Sequence, residues 1–182
     1  MKNRRWASLI AALITGTAHA DIPPPAYQLA TYGTEVPSEV LYALALQESG
    51  TRLRGKLVPW PWTLNVARVS YRYSSREAAC SALLLAIKQV GAKRVDAGLG
   101  QLNIGWQRER FAEPCDVLDP YLNLMLTTRV LQEQKTTSNS WVEAAGRYHR
   151  PAGGAPAARY RQGFTRHLQR VAAATDNPRG FP

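Results

Sequence analysis

Apolar residues recur with the period of an α-helix in five segments of this chain, and this pattern limits its fold more than any other feature. A contrasting stretch, residues 63–73, is rich in Val, Tyr and Thr and predicts a short hairpin that turns near Ala67-Arg68. The expected fold class is therefore mainly α, a helical domain with one small β-hairpin. We expect helices after Pro37, over residues 75–90, after Asp119-Pro120, after the capping residues Ser140 and Glu143, and along the stripe of Tyr160, Phe164, Leu168 and Val171.

The first twenty residues have the pattern of a secretory signal. Three cations precede an uncharged run, and that run closes in Ala18-His19-Ala20, a small-x-small cleavage site. The run is shorter than the ~20 apolar residues that a membrane span requires. We therefore expect residues 1–20 to be a signal peptide, the protein to be periplasmic, and no stable membrane span to remain after cleavage.

The rest of the chain is expected to form one domain. Apolar residues make up 45% and charged residues 20% of the sequence, an ordinary balance for a globular protein. Residues 21–35 are Pro-rich and predict an extended lead, residues 36–174 predict the domain, and residues 175–182 predict a flexible tail. Cys80 and Cys115 are an even count in an exported chain, so they either pair or leave Cys80 as a small core residue.

The formal net charge of +10 indicates an anionic partner, or else a basic surface with no dedicated ligand. A secretory signal argues against nucleic acid and favours the carboxylate-bearing cell wall. His149 and His167 lack partners at metal-ligand spacing, and neither a Gly-rich phosphate-binding loop nor a Cys-His pair for thiol catalysis is evident. We therefore predict no metal and no cofactor.

Glu48 is the candidate for acid catalysis. It follows Val40 and Leu44 at intervals of four residues, so its side chain falls in register with the apolar stripe of the first helix. Burial disfavours the charged form of a carboxyl group and raises its pKa. An acid that stays protonated near neutral pH can protonate a poor leaving oxygen, as glycosidic bond cleavage requires.

Three segments resemble the lytic transglycosylases of the goose-type lysozyme-like superfamily. They are Ala-Leu-Gln-Glu-Ser-Gly at 45–50, Ala-Gly-Leu-Gly-Gln-Leu-Asn at 97–103, and Ala-Ala-Gly-Arg-Tyr-His at 144–149. The resemblance covers about residues 36–164. The Gly-Leu-Gly-Gln form of the second segment and the insertion at 59–65 look like the branch associated with conjugation and type IV secretion.

This resemblance implies a lysozyme-like helical domain that cleaves the β-1,4 bond between N-acetylmuramic acid and N-acetylglucosamine in peptidoglycan glycan strands. Glu48 acts first as acid and then as base, and the product ends in a 1,6-anhydro-muramyl group. The branch implies local opening of the wall for a conjugation or type IV secretion apparatus. The substrate-binding residues that it implies are Ser49, Asn65, Gln101, Asn103 and Tyr148.

Two other functions stay open at this point. Asp96 adjoins the second segment and could position a water, which would make the protein a hydrolytic muramidase. A non-catalytic peptidoglycan-binding component of an envelope complex would also suit the basic charge.

Overall fold

A helix occupies each of the five segments with helical periodicity in the computed structural model, which describes residues 22–175. A further short helix precedes them. The α-helices are α1 (Pro25–Thr31), α2 (Ser38–Ser49), α3 (Arg76–Val90), α4 (Pro120–Lys135), α5 (Trp141–His149) and α6 (Gly154–Thr175). The strands are β1 (Gly50–Leu53), β2 (Lys56–Pro59), β3 (Thr63–Val66), β4 (Val69–Arg72), β5 (Val95–Ala97) and β6 (Leu102–Asn103).

The fold class that the sequence predicts, a mainly α lysozyme-like helical domain with a single small β-hairpin, is wrong. The described residues form an α+β fold with two antiparallel sheets. The predicted hairpin is present as β3 and β4, and it turns at Ala67 and Arg68, which both have positive φ. However, β5 and β6 extend it to the order β4-β3-β5-β6, and β1 and β2 form a second sheet. Strands β5 and β6 span three and two residues, too few for an alternating pattern to show.

The segment that precedes α2 contains a helix that the sequence does not predict. Residues 21–35 were expected to be extended, but they contain α1, which starts with a proline at its first position. Its Tyr27 is buried and lies edge-on to Tyr42 of α2 at 4.9 Å, so this contact holds the segment on the domain. The predicted signal peptide and the tail after Thr175 lie outside the described residues. No helix in residues 22–175 is long and apolar enough to cross a membrane.

Helix α2 lies at the centre of the larger core. Every residue of its middle portion, positions 40–46, is buried, so this helix is enclosed by protein on all sides. It packs against α6, α1 and β2. Gly50 follows its last residue with a negative φ of -54°. Glycine is needed there because a Cβ atom would collide with the carbonyl oxygen of Leu46.

A second core joins the four-stranded sheet to α3. Leu64, Leu83 and Val95 are fully buried in it. The disulfide Cys80–Cys115 ties α3 to the short 3-10 helix Pro114–Leu118, with the two Cα atoms 5.3 Å apart. The pairing that the sequence left open is therefore formed, and it anchors the side of the domain that supports the sheet.

Candidate active site

The last turn of α2 opens into a cavity of about 530 Å³, and Glu48 forms part of its wall. The four-stranded sheet and the C-terminal end of α5 supply other parts. Asn65, Gln101, Asn103 and Tyr148, four residues expected to bind substrate, line this same cavity. The three motif segments, far apart in sequence, thus contribute to one site.

The carboxyl group of Glu48 is held by Tyr160, whose hydroxyl donates a 2.6 Å hydrogen bond to Oε1. Tyr160 belongs to α6 and is 6% exposed, and the ring of His149 stacks on it at 4.5 Å. The sequence predicted Tyr160 only as a member of an apolar stripe. One general rule could have identified it as a partner of the acid: the hydroxyl of a buried tyrosine requires a hydrogen-bond partner.

The surroundings of Glu48 make its carboxyl group a weaker acid than a glutamate in water. Removal from water raises its pKa to about 8, the hydrogen bond from Tyr160 opposes this rise, and the nearby Asp96 carboxylate adds to it. The side chain is partly exposed, and this exposed part faces the cavity while protein encloses the remainder. At pH 7 the neutral acid therefore predominates, and a molecule in the cavity can reach it.

Three polar residues lie side by side on the sheet. Asp96 of β5 pairs with Asn65 of β3 on one side and with Asn103 of β6 on the other, so all three share one face. Each of them lines the cavity. Burial raises the pKa of Asp96, and a 2.8 Å hydrogen bond from the Asn103 amide opposes the rise. The site therefore contains a second carboxyl group besides Glu48.

The two amides of the second segment form many bonds to the protein itself. Asn103 donates to Lys93 and Asp96, and its Oδ1 accepts from the N–H groups of Gly105 and Trp106. That amide is fully occupied, so its role in the structure is to position Asp96 and the loop rather than to bind substrate directly.

Gln101 is bonded less completely. Its Nε2 donates to the carbonyls of Thr63 and Gly98, at 3.0 and 2.8 Å. The amide nitrogen is thus committed to the protein, whereas Oε1 accepts no hydrogen bond from the residues described. Asn65 shows the reverse arrangement: Oδ1 accepts from Arg68 N–H, and no described group accepts from its amide nitrogen. These two residues keep polar groups for a molecule in the cavity.

Ser49 does not line the cavity, and its predicted role in substrate binding is not supported by its position. It is fully buried, and its hydroxyl lies 2.8 Å from the carbonyl of Leu99 and 3.0 Å from that of Ala45. It joins the end of α2 to the turn that carries Gln101. Tyr148 lines the cavity, but its hydroxyl donates to the Gly100 carbonyl at 2.6 Å rather than to the acid.

The turn at 98–101 requires close approach of backbone to side chains. Gly98 has a φ of +84°, which favours glycine, and Gly100 lies against Thr127, where a Cβ atom would overlap the threonine side chain. Asn123 of α4 accepts from Gly100 N–H at 2.9 Å. The cavity floor is therefore rigidly supported from behind.

Carboxyl and amide side chains line the site. Among residues 22–175, no group of three or more His, Cys, Asp or Glu side chains could hold a metal ion. Trp106 is 69% exposed at the cavity wall, and Lys93 Nζ lies 4.1 Å from the centre of its ring. In comparisons with known proteins, no family model, no curated protein and no solved structure matches this chain.

Proposed function

We propose that this protein is a peptidoglycan lytic transglycosylase, which cleaves the β-1,4 bond between N-acetylmuramic acid and N-acetylglucosamine and leaves a 1,6-anhydro-muramyl end. The observation that carries this proposal is the carboxyl group of Glu48, whose pKa is raised to about 8 within an accessible cavity. Such a group holds a proton at neutral pH and can deliver it to a leaving oxygen. Peptidoglycan is proposed as the substrate because segments 45–50, 97–103 and 144–149 resemble lytic transglycosylases.

Glu48 carries both halves of the reaction. It first donates its proton to the glycosidic oxygen as the bond to the muramyl C1 breaks. The N-acetyl group of the same sugar stabilises the cationic centre. The ionised Glu48 then accepts the proton of the muramyl 6-hydroxyl, whose oxygen forms the new bond to C1. The hydrogen bond from Tyr160 favours the carboxylate that exists between the two steps.

The cavity has the features that a saccharide needs. Its volume of about 530 Å³ is suitable for sugar rings, and Trp106 offers an exposed aromatic face at the wall. The amide nitrogen of Asn65 and the carbonyl of Gln101 provide a donor and an acceptor for hydroxyl or N-acetyl groups. No charged cofactor is required by this chemistry.

A hydrolytic muramidase is the second candidate, because Asp96 lies in the same cavity and acts electrostatically on Glu48. In that reaction Asp96 would position a water, and the product would carry a reducing end. Glycan strands digested by a transglycosylase end instead in an anhydro sugar, which is lighter by one water molecule. Mass spectrometry of the products distinguishes the two.

The experiment compares purified sacculi digested by wild-type protein, by Glu48→Gln and by the matched control Glu39→Gln, which changes a carboxyl group in the first turn of the same helix. We expect anhydro ends from the wild type and the control, and no cleavage by Glu48→Gln. Reducing ends would favour the hydrolase. Retention on sacculi without any cleavage by the wild type would instead favour a non-catalytic wall-binding component.

We also propose that the enzyme acts in the periplasm and opens the wall locally for a conjugation or type IV secretion apparatus. Support comes from the signal pattern at residues 1–20 and from the branch resemblance at 59–65 and 98–101. A strain that carries Glu48→Gln in place of the wild type is expected to transfer DNA or effectors less often than its parent. If wall cleavage is lost and the transfer frequency is unchanged, the apparatus does not depend on this enzyme.

A further inference from the structure

A second cavity, of about 380 Å³, adjoins the candidate active site. Arg150 and Pro151, in the connection between α5 and α6, line both cavities. The two cavities are therefore neighbours, with these two residues in the wall of each. The function proposed above uses only the first cavity and leaves this one unexplained.

The second cavity is strongly cationic. Arg147, Arg150 and Arg161 line it, and Glu143 is the carboxylate among its lining residues. Glu143 is already engaged, since its Oε2 accepts a 2.8 Å hydrogen bond from the Asn139 N–H. Three guanidinium groups beside one carboxylate leave an excess of two positive charges, and like charges held close together repel unless an anion joins them.

None of these three guanidinium groups forms a hydrogen bond or an ion pair with any of residues 22–175. Arg110 shows the contrast, because both of its terminal nitrogens bond the carboxylate of Glu133. Arg147 is the most enclosed case: its Nε is buried and has no acceptor within the described chain. A buried donor without a protein partner is unfavourable, so an anion that accepts a hydrogen bond from Arg147 Nε would stabilise this arrangement.

The backbone is adapted to bring these arginines together. Arg147 and Arg150 are three positions apart at the end of α5, while Arg161 reaches them from α6. The aliphatic part of Arg161 lies directly on Gly146, where a Cβ atom would come within 2.7 Å of its Cγ. Glycine inside a helix costs about 1 kcal/mol relative to alanine, so its presence here indicates that this close approach matters.

We propose that the second cavity is a subsite for the carboxylate groups of the stem peptide that a muramyl sugar carries. This inference rests on the proposed function and specifies the substrate further: peptide-bearing glycan is preferred over bare glycan. Arginine binds carboxylate through paired hydrogen bonds with a geometry that lysine cannot match. The stem peptide branches from the sugar ring, so it leaves the first cavity at one flank, and the second cavity adjoins the first at Arg150 and Pro151.

The test uses glycan strands with intact stem peptides and the same strands after an amidase has removed the peptides. The variant is Arg147→Gln with Arg161→Gln, and the control is Arg159→Gln, an exposed arginine on α6 that does not line the cavity. Thermal unfolding verifies that each variant is folded. KM and kcat are measured separately on both substrates.

On peptide-bearing strands we expect KM of the double variant to rise at least about tenfold with little change in kcat, which corresponds to about 1.4 kcal/mol of lost binding free energy. On stripped strands the double variant and the wild type should be equal. The control should match the wild type on both substrates. Equal loss on both substrates, or no loss on either, would overturn the subsite.

A binding arm separates this inference from the proposed function. The Glu48→Gln protein, with and without the two arginine substitutions, is sedimented with each kind of strand. Weaker binding to peptide-bearing strands alone supports the subsite even if no cleavage is ever detected. Cleavage by the wild type together with identical binding by both proteins would retain the enzyme and exclude the subsite. Competition by inorganic phosphate equal to that by a soluble stem peptide would show a general anion site instead and would also exclude it.

Discussion

Replacing Glu48 by Gln is expected to stabilise the folded protein at alkaline pH, although it removes the proposed catalytic group. The site favours the neutral acid, so an ionised Glu48 destabilises the fold. Glutamine has nearly the same shape, is neutral at every pH, and its carbonyl can still accept the hydrogen bond from Tyr160. The substitution therefore removes the charge and leaves the packing in place.

The size of the effect follows from the pKa in the two states. The pKa of Glu48 has its ordinary value of 4.5 in the unfolded chain and is about 8 in the folded protein. Because this pKa is higher in the folded protein than in the unfolded chain, the contribution of Glu48 to the free energy of unfolding is complete below pH 4.5 and is lost as the pH rises to about 8. At about 1.4 kcal/mol for each pKa unit, the loss is at most about 5 kcal/mol, and water that enters the cavity reduces it.

The assay is urea unfolding of the wild type, Glu48→Gln and Glu39→Gln at pH 5, 7 and 9. The free energy of unfolding of Glu48→Gln minus that of the wild type should grow by several kcal/mol from pH 5 to pH 9, within the limit above. Asp96 and His149 also have shifted pKa values, but both proteins contain them, so their effects largely cancel in the difference. If the free energies of unfolding of the wild type and of Glu48→Gln change with pH in the same way, the reasoning is refuted, because Glu48 would then be solvated in the folded protein.

Two further outcomes follow from the same contacts. Tyr160→Phe removes the hydrogen bond that favours the ionised acid and should raise the pKa of Glu48. Asp96→Asn removes a repelling charge and should lower that pKa. The alkaline limbs of the pH–rate profiles of these two variants should therefore move in opposite directions. Exchange of Cys80 and Cys115 for Ser opens a loop with a sequence separation of 35 and should lower the free energy of unfolding by about 4 kcal/mol, which denaturant unfolding with and without a reducing agent can measure.

The helices could be predicted from the sequence because their signals extend over several turns. The stripe of α6 repeats from Tyr160 to Val171, and the N-cap serines of α3 and α5 each accept a hydrogen bond from the third residue that follows them. The hairpin of β3 and β4 was predictable because residues 63–73 are rich in Val, Tyr and Thr, which favour strands. In contrast, β6 contains two residues, and its pairing with β5 depends on a turn whose shape is set by contacts with α4.

The candidate site could be predicted in part. Residue type and helical spacing were enough to single out Glu48, whereas Asn65 and Gln101, which line the same cavity, were named from the resemblance to lytic transglycosylases. These signals did not predict that Ser49 is fully buried and bonded to the carbonyl of Leu99, away from the cavity. They missed Tyr160, because its bond to the acid joins residues 112 positions apart and no local pattern specifies such a partner.

The position of Glu48 on α2 explains why its proton can be held at all. A surface helix leaves one face in water, and a carboxyl group at its end would be ionised at neutral pH. Helix α2 is instead enclosed by the core, so burial is the main cause of the raised pKa of Glu48. The opening of this turn into the cavity then exposes the acid on one side alone. An acid that is neutral but reachable therefore requires both a central helix and the end of that helix at the cavity, one residue after Glu48.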